Sequence, residues 1–475
     1  MTTHLVWFRH DLRIHDNPAL AAACRDKNAR VIGLFVATPG QWHQHDMSPR
    51  QAWYLWRHVE DLRCSLAQKG IELQVSEVTD FDASIHFLGD FCRKNKVAAL
   101  FYNYQYPVNE RKRDAGVERL LTQQGVVCQG FDASVILPPG SITTQDGGMY
   151  RVFTPYSKAC VRRLTEGVPE CIPAPAPRAE STSSESVKPF DYPMEPVDEH
   201  RFPVGEAQAL ARLRHFCRQQ AADYPKLRDI PAEDGTSLLS AWLAIGVLSP
   251  RQCLQRLLAE HPDALAGETG WTWLNELLWR DFYCHLMVAW PKLCRYQPFQ
   301  AWTQDVAWRT DSEAFSLWQQ GKTGFPIVDA AMRQLNETGW MHNRLRMICA
   351  SFLTKDLLID WRQGERYFMR QLVDGDLASN NGGWQWAAST GTDAAPYFRI
   401  FNPTAQGKKF DPKGAFIRRW LPELTDIPDN AIHEPWKWAE KTDQNIGYPQ
   451  PCVDHQQARR ATLDAWEKAK KRSRK

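Results

Sequence analysis

The hydrophobic pattern of the chain changes about a third of the way along, and this change limits the folds it can adopt. Up to about residue 136, short apolar runs alternate with helix-like segments, which is typical of a parallel sheet with helices on both faces. The apolar runs lie at residues 5–8, 31–37, 73–78, 97–104 and 126–131. From about residue 206 only helical periodicity recurs. We therefore predict an α/β domain with a doubly wound, five-stranded parallel sheet, followed by an all-α domain.

A proline-rich segment separates the two patterns. Residues 172–200 hold six prolines, a Ser/Thr cluster and several acids, a composition that suits an extended connection. We predict an α/β domain over residues 1–136, an interdomain linker over residues 137–205 and a helical domain over residues 206–475.

Composition argues against several kinds of site. The twelve cysteines form no C-x-x-C pair and no Cys/His cluster at metal-ligand spacing, so we expect reduced thiols and no bound metal. The 58 basic and 55 acidic side chains nearly cancel, so a polyanion would have to meet a local basic patch. Residues 459–475 are strongly basic, although such ends are more often solvated than ligand-binding. No signal peptide and no apolar run near ~18 residues occurs, which predicts a soluble cytoplasmic protein that does not enter membranes.

Polar side chains follow two of the predicted strands. His45 and Asp46 come after the second strand, and Asn109 and Glu110 after the fourth. Ligands of parallel sheets bind at the carboxyl ends of the strands. The first turn lacks the G-x-G-x-x-G pattern, so an ordinary dinucleotide site is not indicated there.

Two helical segments carry unusual polar faces. In WLNELLWRDFYCHL, one side is an apolar stripe, and the opposite side carries Glu276, Trp279, Arg280 and Tyr283 at i, i+3, i+4 and i+7. These four side chains form either a surface ion pair covered by aromatics or the wall of a ligand site. After GWMH, the residues Asn343, Arg346 and Met347 share one side of a helix and Arg344 lies beside them. The arginines are either surface residues or anion contacts.

The stretch at residues 374–402 combines two carboxylates, an Asn pair, a Gly pair, Trp384 and Trp386. It is either a buried polar turn with structural tryptophans or part of a site. Sixteen of the twenty tryptophans lie at or beyond Trp242. Trp308 and Trp361 could serve only the core, but oxidisable rings that feed a redox cofactor would explain this enrichment equally well.

These motifs carry a resemblance that covers the whole chain. The segments at residues 7–20, 321–347 and 374–403 resemble the photolyase and cryptochrome flavoprotein family, and within it the bacterial class I cyclobutane pyrimidine dimer photolyases. The resemblance implies a folded FAD in the helical domain and light-driven repair of pyrimidine dimers without net redox change. The implied cofactor-binding residues are Tyr224, Thr236, Ser237, Leu238, Leu239, Ser240, Trp273, Asn343, Arg346, Asp374, Gly375, Asp376 and Asn380.

The resemblance also implies roles at the reaction centre. Glu276 would hydrogen-bond the pyrimidine carbonyl region, and Asn380 would lie beside the reactive flavin nitrogen. Asp374 would orient Arg346. An electron-hopping triad, which reduces oxidised flavin, would consist of Trp384, Trp361 and Trp308. The implied DNA contacts are Arg228, Glu276, Trp279, Arg280, Tyr283, Asn343, Arg344, Met347, Trp386 and Arg399.

A second chromophore is common in this family. His45, Asn109, Glu110 and Cys294 match positions that hold 5,10-methenyltetrahydrofolate in the folate-type members, whereas other members use a deazaflavin or none. Two positions depart from the expected pattern. Leu238 stands where close relatives are expected to carry a basic residue, and Arg295 stands in place of a lysine.

Three other functions are alternatives: a cryptochrome-type light receptor, a six-four photoproduct photolyase, and a non-catalytic nucleotide-binding scaffold. Asn380, the complete Glu276–Trp279–Trp386 set and the lack of a histidine pair at residues 343–347 favour repair of cyclobutane dimers. The expected partner is UV-damaged DNA, single- or double-stranded. We expect a monomer without an obligate protein partner.

Overall fold

A computed structural model describes residues 2–178 and 186–473 of the chain. The first part is a five-stranded parallel sheet in the order β3-β2-β1-β4-β5. Its strands are β1 (Thr3–Phe8), β2 (Arg30–Ala37), β3 (Glu72–Glu77), β4 (Val97–Asn103) and β5 (Val127–Phe131). The central strand β1 pairs on both sides, with Leu5 opposite Ile32 and Leu100. All five predicted strands are therefore confirmed, and so is the doubly wound parallel sheet.

Helices account for most of the remaining described chain. Those up to residue 289 are α1 (Pro18–Ala23), α2 (Pro39–Gln44), α3 (Pro49–Ala67), α4 (Phe81–Lys94), α5 (Val108–Gln123), α6 (Phe153–Glu166), α7 (Glu206–Gln219), α8 (Tyr224–Leu227), α9 (Ser240–Ala244), α10 (Pro250–Glu260) and α11 (Trp271–Ala289). Those that follow are α12 (Ser312–Gln320), α13 (Pro326–Thr338), α14 (Asn343–Ser351), α15 (Trp361–Gln371), α16 (Leu377–Ala388), α17 (Pro403–Phe410), α18 (Ala415–Trp420), α19 (Pro435–Thr442) and α20 (His455–Arg472).

Short helices connect several of these elements. Four are 3₁₀ helices, at Pro262–Ala266, Pro291–Arg295, Ala301–Asp305 and Pro422–Leu424, and Phe352–Asp356 is a π-helix. Within the described residues, no β-strand lies beyond Phe131. The all-helical character predicted for the second half is confirmed.

The chain divides into two compact units. The first comprises Met1–Ala222, Ser237–Pro291 and Val373–Ala378; the second comprises Asp223–Thr236, Lys292–Leu372 and Ser379–Lys475. The division differs from the predicted domain boundaries, because α7 and α9–α11 belong to the same unit as the sheet.

The predicted linker is not extended throughout. It contains α6, which forms because Phe153, Tyr156, Cys160 and Leu164 recur at helical spacing and are all buried. Residues 179–185 of that linker lie outside the described part of the chain, as do residues 474 and 475 of the basic end.

The core of the second unit gathers many of the tryptophans. Trp361 and Trp384 are among its buried residues. Gly364 meets Trp384 directly, since a β-carbon added there would overlap the indole ring. A close approach of this kind requires glycine.

Helix α20 packs on this unit through a buried lysine. Lys355, in the π-helix, donates from Nζ to Ser389 Oγ at 2.8 Å and lies 4.1 Å from the centre of the Trp466 ring. The Thr462 hydroxyl donates to the Lys355 carbonyl oxygen. Burial lowers the pKa of Lys355 to about 7. Among the described residues, no helix is both long and apolar enough to cross a membrane.

Candidate active site

Helix α11 presents the predicted polar face. Leu274, Leu277, Leu278, Phe282 and Leu286 are buried, as the apolar stripe predicted. The side chains of Glu276, Trp279, Arg280 and Tyr283 are half-buried on the opposite side.

An aromatic ring packs against one face of Trp279. Phe153, on α6, stacks on the indole with a centroid distance of 3.7 Å and an interplanar angle of 9°. Tyr283 lies one turn further along α11, 5.5 Å from Trp279. One face of Trp279 is therefore covered by the protein. The sequence reading missed Phe153 because it placed this residue in a linker, although the apolar spacing of α6 could have revealed it.

Arg280 and Asp281 fasten α11 to the loop after β5. Arg280 Nη1 donates to the Ser134 carbonyl at 2.6 Å. Asp281 Oδ2 accepts from the backbone N–H groups of Ile136 at 2.7 Å and Leu137 at 3.3 Å. Burial raises the pKa of Asp281 to about 7, against the opposing effects of Arg280 and the two backbone donors. Arg280 is thus half-buried, and its role as a phosphate contact stays a prediction. Asp281 was not singled out, because an acid next to an arginine is usually a surface residue.

Residues 236–240, which were predicted to bind the cofactor, have an unusual backbone. Leu238 has a φ of 55°, in the left-handed region that a leucine rarely adopts. The Ser237 carbonyl accepts from Arg212 Nε at 3.1 Å, and Ser240 begins α9. The segment turns sharply at the position where a basic residue was expected.

The remaining cofactor candidates of the first unit are largely buried. Asp374 is buried, Asp376 is half-buried, and the Gly375 carbonyl accepts from Gln51 Nε2 at 2.7 Å. The Trp273 ring packs on Phe216 at 4.8 Å.

On helix α14, in the second unit, the predicted site residues differ from one another in exposure. Asn343 is exposed, and Arg344, Arg346 and Met347 are half-buried. Arg344 donates to Asp229 Oδ1 from Nε at 3.1 Å and from Nη2 at 2.8 Å. No local sequence pattern indicates this pair, since 115 residues separate its members.

The N-terminus of α14 is held by a neutral histidine. His342 Nδ1 accepts from the backbone N–H of Arg344 at 3.1 Å, and burial lowers the pKa of His342 to about 4. Arg346 Nε donates to the Met341 carbonyl at 2.8 Å, which fixes the plane of the guanidinium. Nearby in sequence to Asp229, Arg228 lies 5.4 Å from the ring of Tyr224.

The three predicted hopping tryptophans differ in exposure. Trp361 is 0% and Trp384 2% exposed, whereas Trp308 is half-buried. Trp384 contacts the edge of Phe368 at 4.9 Å, and Trp308 packs against Trp466 at 6.1 Å.

Helix α16 also carries Asn380 and Trp386, both half-buried. Asn380 Nδ2 donates to the Glu365 carbonyl at 3.0 Å, which orients the amide. The loop after α16 leaves Arg399 exposed.

The predicted antenna residues of the first unit lie together. His45 Nε2 is 3.0 Å from Asn109 Nδ2, and His45 Nδ1 is 3.6 Å from Glu110 Oε1. Gln41 Nε2 also lies 3.0 Å from His45 Nε2, a contact that the sequence reading missed. Cys294 belongs to the second unit and is half-buried.

Comparison with known proteins identifies related chains. A family model described as the FAD binding domain of DNA photolyase matches residues 273–468, and one described as DNA photolyase matches residues 4–177. A deoxyribodipyrimidine photo-lyase of Escherichia coli strain K12 is 60% identical, covering 99% of this chain and 100% of the relative. The deoxyribodipyrimidine photo-lyase of Vibrio cholerae is 47% identical, covering 98% and 99%.

Solved structures of photolyases and cryptochromes also resemble this chain. A class III photolyase from Agrobacterium tumefaciens has a TM-score of 0.87 and 34% identity, covering 99% of this chain and 98% of that one. A cryptochrome from Synechocystis has a TM-score of 0.88 and 30% identity, covering 98% and 99%.

Proposed function

The chain belongs to the DNA photolyase family, and on that premise we propose which of its residues carry each part of the reaction. It acts as a deoxyribodipyrimidine photo-lyase, which repairs cyclobutane pyrimidine dimers in DNA with light and FAD. The 60% identity to the Escherichia coli photo-lyase over the whole chain carries this conclusion. The cryptochrome match is only 30% identical, so it does not favour a receptor.

The donor chemistry of the candidate residues fits FAD. Hydroxyl groups of Thr236, Ser237 and Ser240 suit phosphate oxygens, and the carboxylates of Asp374 and Asp376 suit hydroxyl groups. Arg346 can offset negative charge on a reduced ring: a charge pair at ~4 Å is worth on the order of 4 kcal/mol at an effective dielectric near 20. The remaining proposed contacts are Tyr224, Leu238, Leu239, Trp273, Asn343, Gly375 and Asn380.

These residues would hold a reduced FAD, whose chemistry would be light-driven electron donation to the cyclobutane ring without net redox change. We assign Glu276 to hydrogen-bond the pyrimidine carbonyl where negative charge develops. Trp279 and Trp386 provide aromatic walls for the extruded lesion, because base stacking tolerates any base. Asn380 adds a hydrogen bond without adding charge.

Other residues contact the DNA around the lesion. We assign phosphate contacts to Arg228, Arg280, Arg344 and Arg399, with Tyr283, Asn343 and Met347 beside the lesion. The substrate is UV-damaged DNA, and we propose that both single-stranded and duplex forms are accepted by a cytoplasmic monomer. We keep the domain assignment of residues 1–136, 137–205 and 206–475 as part of this proposal.

Illumination of the reduced protein with an oligonucleotide that carries one thymine dimer tests the function. Pyrimidine absorbance should recover in the light and stay constant in the dark. The control is a matched oligonucleotide with a six-four photoproduct. Recovery with that control alone would replace the proposal by six-four repair, and a colourless purified protein would favour a scaffold.

Trp384, Trp361 and Trp308 are proposed to pass electrons to oxidised flavin. The burial of Trp384 and Trp361 and the partial exposure of Trp308 support Trp308 as the surface end of this path. Trp308→Phe should block photoreduction while leaving repair by pre-reduced enzyme intact. Unchanged photoreduction would remove Trp308 from the path.

His45, Asn109, Glu110 and Cys294 are proposed to bind 5,10-methenyltetrahydrofolate. The contacts among the first three support a single polar site. Release of the chromophore should remove near-ultraviolet absorbance, and recovery of a deazaflavin would contradict the assignment.

A further inference from the structure

Helix α20 carries a basic surface that the proposed reaction does not use. Its eighteen residues include six basic and two acidic side chains, a net charge of +4, against +3 for the whole chain. All six basic side chains are exposed. The rest of the chain therefore has a net charge of −1 (3 − 4), and the net positive charge of the protein resides on this helix.

The buried face of α20 is narrow, so the rotation of this helix about its own axis is well defined. Ala458, Thr462, Ala465, Trp466 and Ala469 are buried, and they share one face at helical spacing. The helix is thus a packed element of the second unit, which fixes the side of the helix from which each exposed basic side chain projects.

The basic side chains divide into flanks. At about 100° per residue, Arg459 and Lys470 point within about 20° of each other and only slightly beyond Trp466. Arg460 and Lys471 have the same spacing but are rotated outward by about 100°. Lys468 lies on the far flank, where its Nζ donates to Asp464 at 2.6 Å. Among the residues described, neither Arg459 nor Lys470 has an ion-pair partner.

The Lys470 end of this flank adjoins the loop that carries Arg399. Tyr397 of that loop stacks on Trp466 with a centroid distance of 6.1 Å and an interplanar angle of 9°. Lys470 Nζ lies 5.8 Å from the centre of the Tyr397 ring. Phe398, 62% exposed, and Arg399 follow directly.

The same loop is tied to a proposed lesion wall. The Ala395 N–H donates to the Trp386 carbonyl at 3.2 Å, so the loop is fastened to α16 at one point and to α20 at another. Asp393 is an exposed acid that precedes Tyr397 in this loop, whereas Arg399 follows it. Arg399 therefore lies two residues from the ring that Lys470 approaches.

We propose that the flank of α20 formed by Arg459 and Lys470 is a second contact surface for the DNA backbone, continuous with Arg399. The inference rests on the proposed function, since it extends the footprint on the same DNA. Both side chains neutralise phosphates beyond the lesion, without reading sequence and without touching the reacting atoms.

Binding of a thymine-dimer duplex at increasing salt tests the proposal. Each neutralised phosphate contributes roughly 0.9 to the slope of log affinity against log salt. The double variant Arg459→Gln, Lys470→Gln should lower this slope by roughly 1.8, and Arg459→Gln alone by roughly 0.9. From about 50 to about 200 mM salt, the wild-type protein should lose roughly tenfold more affinity than the double variant.

The matched control is Arg460→Gln, Lys471→Gln, which removes the same charges at the same spacing from the outward face. Its slope should stay close to the wild-type value. An equal decrease of the salt slope in both double variants would show that only net charge matters, and it would overturn the proposal. An unchanged slope in both would overturn it as well. A wild-type protein that fails to bind the damaged duplex at low salt would instead contradict the proposed function.

Circular dichroism and repair of saturating substrate by pre-reduced enzyme should be unchanged in all three variants. Loss of repair at saturation in the Arg459→Gln, Lys470→Gln variant would place these residues in the reaction itself and overturn the assignment to distal phosphates. The single variant Arg459→Gln keeps the test valid if loss of Lys470 disturbs Tyr397.

Discussion

Helices α11 and α14 both carry residues proposed to contact damaged DNA, yet the protein holds them in different ways. On α11, Trp279 stacks on Phe153, and Arg280 donates to the neutral carbonyl of Ser134. On α14, Arg344 is held by the carboxylate of Asp229. The first set is fixed mainly by packing and by a hydrogen bond to a neutral carbonyl, although Asp281 Oδ1 also lies 4.0 Å from Arg280 Nη1. The second is held by an ion pair that a phosphate can replace.

This difference suggests that α11 positions the lesion and that α14 contacts the DNA backbone. Groups that must meet the lesion at one geometry gain from rigid support, since small misplacements in a reaction centre are costly. Groups that meet the backbone need charge more than exact placement. Substitutions on or behind α11 should therefore change stability and repair, and substitutions on α14 should change salt-dependent binding.

Phe153→Ala should have the largest effect. It deletes a buried ring beneath Trp279 and should lower the free energy of unfolding by about 3–5 kcal/mol, as measured by urea denaturation. Phe153→Leu keeps most of the volume and should cost less than about 1.5 kcal/mol. If Phe153 positions the indole, both variants should bind the dimer more weakly. Normal dimer affinity in the stable Leu variant would leave Phe153 a packing residue only.

Asp281→Asn should change how stability depends on pH. The unfolded carboxyl has a pKa of 3.8 and the folded one about 7, so between these values the folded state keeps a proton that the unfolded state has lost. Stability supplied by this group therefore falls as pH rises through that window. The Asn variant cannot ionise, and at pH ~8 it should be more stable than the wild type by about 1–3 kcal/mol. The two urea midpoints should converge near pH ~4, and a constant difference would contradict the burial argument.

Glu276→Ala should lower the repair yield several-fold, about 1 kcal/mol in rate terms, because a hydrogen bond is lost where charge develops. FAD content and dimer affinity should be retained. Glu276→Gln keeps an amide donor and should be less impaired. A repair yield equal to that of the wild type in the Ala variant would remove the proposed role.

Asp229→Asn should have the smallest of these effects, and it should be a gain in DNA affinity. Removing the competing carboxylate should strengthen DNA binding by about 0.2–1 kcal/mol at low salt. Arg344→Ala is the counterpart, and it should lower the salt slope by roughly 0.9. Weaker binding of the Asn variant would indicate that Asp229 positions Arg344 for phosphate instead of competing with it.

Much of the fold could be read from the sequence because local patterns determine it. The apolar runs predicted all five strands, and the stripe from Leu274 to Leu286 predicted the orientation of α11. The cluster of His45, Asn109 and Glu110 was foreseeable as well, because polar groups after parallel strands lie at the same edge of the sheet, here after β2 and β4 on either side of β1.

What could not be read depends on distant contacts. Asp229 and Arg344 pair across 115 residues, and no local signal marks them. The compact units join α9–α11 to the sheet, which periodicity cannot reveal. Phe153 was missed for another reason, since the prolines after residue 171 drew the whole region into the predicted linker.

The contact between Lys355 and Trp466 has a consequence for how the molecule opens. Detaching α20 would remove the aromatic neighbour of the Lys355 amine and the hydroxyl donor of the Lys355 carbonyl. Amide protons in the middle of α20 should therefore exchange with deuterium as slowly as those of the central helices. Cutting the chain before Asp454 should yield aggregated protein instead of a shortened enzyme.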